Sequence, residues 1–243
     1  MRSVCLLLLL VWTVALGSCT SATESRGVDE VLAFYGGTAV YSKGMVSSME
    51  DKLQGKYYEL KLSGGGFEKI AQYFPNPALP ASNCAYLFYH ALTPVEKKDY
   101  DFIRIVIEAQ GERTTQDFST PDLARAELAM AQMAPAVDAL RRQAYDQFVR
   151  FGNPLAASEQ QWQRDKAMLV AVDKQYGRVK EFSLQGFETV QRNLTDGTHE
   201  LVRLAGVLVR EGQSTDFSLV VEPTGSAKGK YLYGFVFSKN ESQ

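Results

Sequence analysis

Apolar residues fill the chain from Val4 to Leu16, broken only by Thr13. Downstream, apolar positions alternate with polar ones at the periods of strands and helices. Thr38–Val46 and Gly55–Ser63 read as a hairpin, with Tyr57, Tyr58, Leu60 and Leu62 as β-formers. A glycine run then leads into a short helix from Phe67 to Phe74, stopped by Pro75-Asn76-Pro77. Ser82 caps a predicted helix over Asn83–Leu92, whose apolar residues Cys84, Leu87, Phe88, Ala91 and Leu92 recur at helical spacing. Thr93-Pro94-Val95-Glu96 is a capping-box pattern. Tyr100–Ala109 is strongly β, with Ile103, Ile105 and Ile107 on one face and Phe102 and Val106 on the other, so both faces should be covered. Gln110-Gly111 turns into a partner strand ending near Ser119.

Thr120-Pro121 opens an alanine-rich helix to Met133, which Pro135 should break. From Pro135, the residues Val137, Leu140, Ala144, Phe148 and Phe151 predict a second helix, ended by Gly152-Asn153-Pro154. A third, opened by Ser158 to Gln161, carries Trp162, Leu169, Val172 and Tyr176 and closes at Gly177. Four strands follow: Arg178–Asn193 with a bend at Gly186, Thr198–Arg210 after the Asp196-Gly197 turn, Ser214–Glu222, and Lys230–Ser238. The expected fold is α+β in two units, 31–119 and 120–243. The second has helices packed on a curled antiparallel sheet and should fold alone, since its strands pair with sequence neighbours.

The apolar block, 13 residues behind Met1-Arg2-Ser3, is too short to span a bilayer and is typical of a secretory signal over residues 1–18. Its end, Leu16-Gly17-Ser18-Cys19, resembles a bacterial lipobox. That resemblance implies cleavage before Cys19 and acylation of its sulfur and amine, hence a palmitate-type anchor in the bacterial cell envelope. With Thr20 and Ser21 next and no Asp, it implies the outer membrane, facing the periplasm, in a Gram-negative source. The competing reading is an ordinary signal cleaved near Ser18 or Ala22, with Cys19 incidental. The polar stretch Thr20–Asp29 reads as part of a flexible tether over residues 19–30.

The order of helices and four long strands resembles the NTF2-like (cystatin-like) superfamily. So do Tyr176-Gly177-Arg178-Val179-Lys180-Glu181-Phe182-Ser183-Leu184-Gln185-Gly186-Phe187-Glu188 and Tyr231-Leu232-Tyr233-Gly234-Phe235-Val236-Phe237. Residues 31–119 look like the leading half of uncharacterised bacterial lipoproteins. The NTF2-like resemblance implies a cone whose interior is a pocket or a packed core. No acidic or tyrosine motif of its isomerases can be carried over, and fold alone does not give function.

Net charge is −2, becoming −3 if residues 1–18 with Arg2 are removed, which argues against nucleic acid or anionic lipid as partner. The membrane, reached through the lipid, and another envelope protein are the partners expected. Of three cysteines, Cys5 leaves with the signal and Cys19 goes to lipid, so Cys84 is left without a disulfide partner. Its apolar helix face predicts an inert thiol. His90 and His199 read as solvated, and no metal-ligand spacing or cofactor motif stands out, so neither metal nor cofactor is expected. Tyr231, Tyr233, Phe235 and Phe237 alternate along one strand and should share one face, either as core or as a wall for an apolar ligand. The favoured function is a non-catalytic lipid-anchored envelope protein with a binding or structural role. The alternative is a small-ligand binder, or an isomerase- or dehydratase-like enzyme, using a cone pocket.

Overall fold

A computed structural model describes residues 20–47, 53–73, 77–224 and 229–238, with the side chains of 71–73 and 238 left aside. Residues 1–18, expected from the sequence to be a secretory signal, and Cys19 lie outside the described residues. The fold is α+β, with seven helices and two four-stranded sheets among those residues.

Helix α1, Ala22–Tyr35, occupies most of the segment expected to be tether. Its first turn is fixed by a reciprocal capping box. Ser21 Oγ accepts from the Glu24 amide at 3.1 Å, and the Ser21 amide donates to Glu24 Oε2 at 3.0 Å. The segment is polar, so periodicity does not reveal it; only Glu24, Gly27 and Val31 are buried. Gly27 is required by contact, since a Cβ there would lie 2.9 Å from the Phe88 ring.

Strands β1 (Thr38–Val46) and β2 (Gly55–Ser63) form the expected hairpin. Helices α2 (Gly66–Tyr73), α3 (Ala78–Ala91) and α4 (Glu96–Asp99) carry the chain across to β3 (Phe102–Ala109). That crossover lets β3 pair parallel to β2, with Tyr58 opposite Ile103 and Leu60 opposite Ile105. The antiparallel strand β4 (Glu112–Ser119) closes the sheet. Helix α3 starts at Ala78, so Ser82 lies inside it and is no cap. This helix is buried nearly all round because it packs on α1, on β3 and on the second sheet.

Helix α5, Thr120–Arg141, runs unbroken through Pro135. Proline is tolerated because Pro135 and Ala131, whose carbonyl loses its donor, both lie on the exposed side. The chain breaks later, at Gln143, whose φ of 57° is left-handed. Helices α6 (Tyr145–Arg150) and α7 (Glu159–Tyr176) follow.

The second sheet is an antiparallel meander of β5 (Val179–Leu194), β6 (Gly197–Arg210), β7 (Thr215–Val221) and β8 (Leu232–Ser238). The bend at Gly186 is a register shift between Leu184 and Gly186, but neither sheet is strongly curled. Helices α3 and α5 reach both sheets. One cluster of buried side chains joins Tyr58, Leu60 and Ile105 of the first sheet to Leu204, Phe217 and Leu219 of the second, through Phe88 and Leu140.

Candidate functional site

Strand β8 does not keep the alternation its sequence implies. Val221 pairs with Leu232 and Val220 with Gly234, so Tyr233 is the extra residue of a bulge. Leu232, Phe235 and Phe237 therefore share the core-facing side, joined by Tyr231 just before the strand, while Tyr233 turns to the opposite face with Leu201 and Val220. The expectation that all four aromatics share one face is thus corrected. Gly234 within a strand was the available signal for the bulge.

The inward residues are packed. Tyr231 stacks on Phe151 at 5.1 Å between ring centres. Phe235 meets Phe148 edge-on at 5.3 Å, and Phe237 lies 4.9 Å from Phe217. Burial pushes the Tyr231 phenol up to about 12. Its hydroxyl has no hydrogen-bond partner among the described residues.

On the opposite face Tyr233 joins a polar group around His199, the histidine expected to be solvated. His199 Nε2 lies 2.8 Å from Asp196 Oδ1, across the β5–β6 turn. Its Nδ1 lies 3.6 Å from Glu222 Oε1 and 3.3 Å from the Tyr233 hydroxyl. The hydrogen bond to Asp196 raises the imidazole pKa above its ordinary value, and the Glu222 charge adds to this. These contacts make His199 a clip between the β5–β6 turn, the end of β7 and β8. The only sequence signal was Asp196 three positions before His199.

Elsewhere, His90 is exposed and bonds Glu127 at 2.8 Å. Cys84 is fully buried, and burial pushes its thiol well above the usual range, which keeps it inert. A groove of about 330 Å³ opens over the second sheet between Leu79, Gln185, Arg203, Gly206 and Asp216. Burial raises the Asp216 carboxyl. Among the described residues, no group of three or more His, Cys, Asp or Glu residues is arranged to hold a metal ion.

A second hydrogen-bonded cluster lies at the N-terminal junction. The Glu96 carboxylate accepts from the hydroxyls of Ser21 and Thr23, and from the amide and hydroxyl of Thr93 at 2.7 Å each. Burial raises its pKa, but these donors outweigh it and pull the carboxyl down to about 2. Beside it, buried Glu24 pairs with Lys43 at 2.7 Å. The Lys43 ammonium sits 5.7 to 5.9 Å from the ring centres of Tyr41, Tyr58 and Tyr100. Burial raises the Glu24 carboxyl as well, yet Lys43 and the Ser21 amide hold it below the ordinary value. The Thr93-Pro94-Val95-Glu96 pattern predicts only a local cap, whereas Glu96 also holds α1 through Ser21 and Thr23, which are far from it in sequence. No described helix is long and apolar enough to cross a membrane. No family model, curated protein or solved structure matches the chain.

Proposed function

We propose that this is a non-catalytic, lipid-anchored protein of the bacterial cell envelope with a binding or structural role, held through Cys19 and built in its second half on the NTF2-like plan. One observation carries the non-catalytic part. The residues that would line a cone pocket, Tyr231 and Phe235, are packed on Phe151 and Phe148, while Tyr233 is turned to the other face. A small-ligand or isomerase-like role needs a hollow interior and a group able to exchange a proton. The packing of this face weighs against it. The lipid part rests on the Leu16-Gly17-Ser18-Cys19 resemblance. Three acyl chains would hold the protein without help from the folded body, since two anchoring signals already suffice.

Metabolic labelling with a fatty acid tests the anchor. The wild-type protein should be labelled and processed, whereas Cys19→Ser should accumulate as an unlabelled precursor. Equal labelling of both would overturn it. Turnover in a hydrolase and isomerase screen, abolished by one point change, would overturn the non-catalytic part.

A further inference from the structure

We infer that the folded body rests directly on the bilayer, with the surface carrying Val95 and Met45 in contact with lipid. The inference rests on the acylation of Cys19 proposed above. Only Thr20 separates Cys19 from Ser21. Two residues of extended chain reach about 7 Å at most, so the acyl chains leave the protein close to wherever Ser21 is fixed.

Ser21 is fixed firmly. It caps α1 and donates its hydroxyl to Glu96, while Thr23 donates to the same carboxylate at 2.7 Å. Glu24, in the same turn, pairs with Lys43 on β1. The anchor point is therefore tied to two places, the Thr93–Asp99 turn and the middle of β1.

Those two places hold the most exposed large apolar side chains among the described residues. Val95, adjacent to Glu96, is 69% exposed, and Met45, two positions along β1 from Lys43, is 71% exposed. Apolar side chains so open to water are unremarkable singly, but this pair flanks the one point where the chain would enter lipid. Pro94 and Lys98 are exposed beside Val95. Lys97 is engaged by Glu127 at 2.7 Å and lies over the Tyr89 ring, which leaves Lys98 as the turn's cation for headgroup phosphates. The acidic net charge gives the body no general attraction to anionic lipid. Contact is thus imposed by the short spacer, and two apolar prongs fit the headgroup–acyl boundary once held there.

The test uses protein purified from membranes with its lipid and reconstituted in phosphatidylethanolamine–phosphatidylglycerol vesicles. Val95→Cys, Met45→Cys and, as a control on the second sheet, Val236→Cys are each labelled with an environment-sensitive fluorophore. All three sites are exposed, so folding should be retained, and buried Cys84 should not react. Nitroxide-bearing lipids should quench the probes at 95 and 45 several times more strongly than at 236, with blue-shifted emission. A long Gly-Ser insert after Thr20 should bring the three sites together. Equal quenching at all sites with native spacing, or quenching unchanged by the insert, overturns the inference, provided intact mass shows the acyl chains. If the mass shows no acylation, the anchor reading fails instead.

Discussion

The hydroxyl of Ser82 accepts a hydrogen bond from the backbone N–H of Phe187 at 2.8 Å, across 105 residues of sequence. That amide lies beside the register shift at Leu184/Gly186, where the ladder of β5 is interrupted. Ser82 in turn donates to the Leu79 carbonyl at 2.7 Å. A side chain of α3 thus satisfies a buried donor that the bulge leaves over. Ser82→Ala should cost about 1–3 kcal/mol, because the amide is left without a partner in a buried place. Urea unfolding monitored by near-UV circular dichroism measures this. Gly186→Ala should be worse, since its Cβ would lie 2.1 Å from the Leu79 carbonyl oxygen.

The same contact bears on whether residues 120–243 can fold alone. Cutting at Thr120 removes α3 from β5 and leaves Phe187, now against Phe118, uncovered. The fragment should keep far-UV signal and lose near-UV signal, binding a hydrophobic dye as molten states do. A cooperative thermal transition with dispersed amide resonances would show that the strand meander suffices without α3.

Local rules carried much of the fold. Ser158 caps α7 as its pattern predicts, and the bend expected at Gly186 is a register shift in β5. Helix α5 is capped by Ser119, one residue before the expected Thr120, and the hairpin turn centres on Thr195-Asp196, one residue before the expected Asp196-Gly197. What escaped was set by distant partners. Helix α1 is stabilised by Glu96 and by packing on α3, neither of which appears in the periodicity of its polar stretch. The β2–β3 pairing is parallel and needs the intervening helices to bring it about. At the candidate sites the aromatics were visible but their facing was not. One extra residue at Tyr233 inverts the pattern.

A buried ion pair locks α7 to the second sheet. Arg210, 4% exposed, donates to Asp173 and to the Gly177 carbonyl, while Tyr145 and Thr215 complete the group. Removing one partner strands the other charge, so Arg210→Met or Asp173→Leu should each destabilise by about 3–5 kcal/mol. The double variant should recover part of that loss, since neither charge remains unpaired. Denaturant midpoints of the three variants decide this. Strictly additive losses would mean that the two residues act separately.

His199 offers a titration signature. Its pKa is raised in the folded state, first by Asp196 and then by Glu222. Its contribution is therefore complete below the unfolded value of 6.5 and is lost as pH rises through the higher folded value. Imidazole NMR titration should place the folded midpoint above 6.5, and Asp196→Asn should move it down. A midpoint unchanged by that substitution would show that Asp196 does not hold the ring.

The Glu96 junction should appear at acid pH with the opposite sign. Its carboxyl falls from 4.5 to about 2 on folding, because hydroxyls from Ser21, Thr23 and Thr93 bond the charged form. The stabilisation is present above pH 4.5 and drains away as pH drops toward 2. Glu96→Gln should lose about 1 kcal/mol at neutral pH, allowing for solvent screening at a partly exposed site. Its stability should also fall less steeply than wild type between pH 4.5 and 2. The slope will not vanish, since Glu24 is held below its ordinary value too. Amide hydrogen exchange should locate the loss in the first turn of α1, where Ser21 and Thr23 would be released. Uniform loss of protection across the chain would instead mean that Glu96 supports the whole fold and not the first turn of α1 alone.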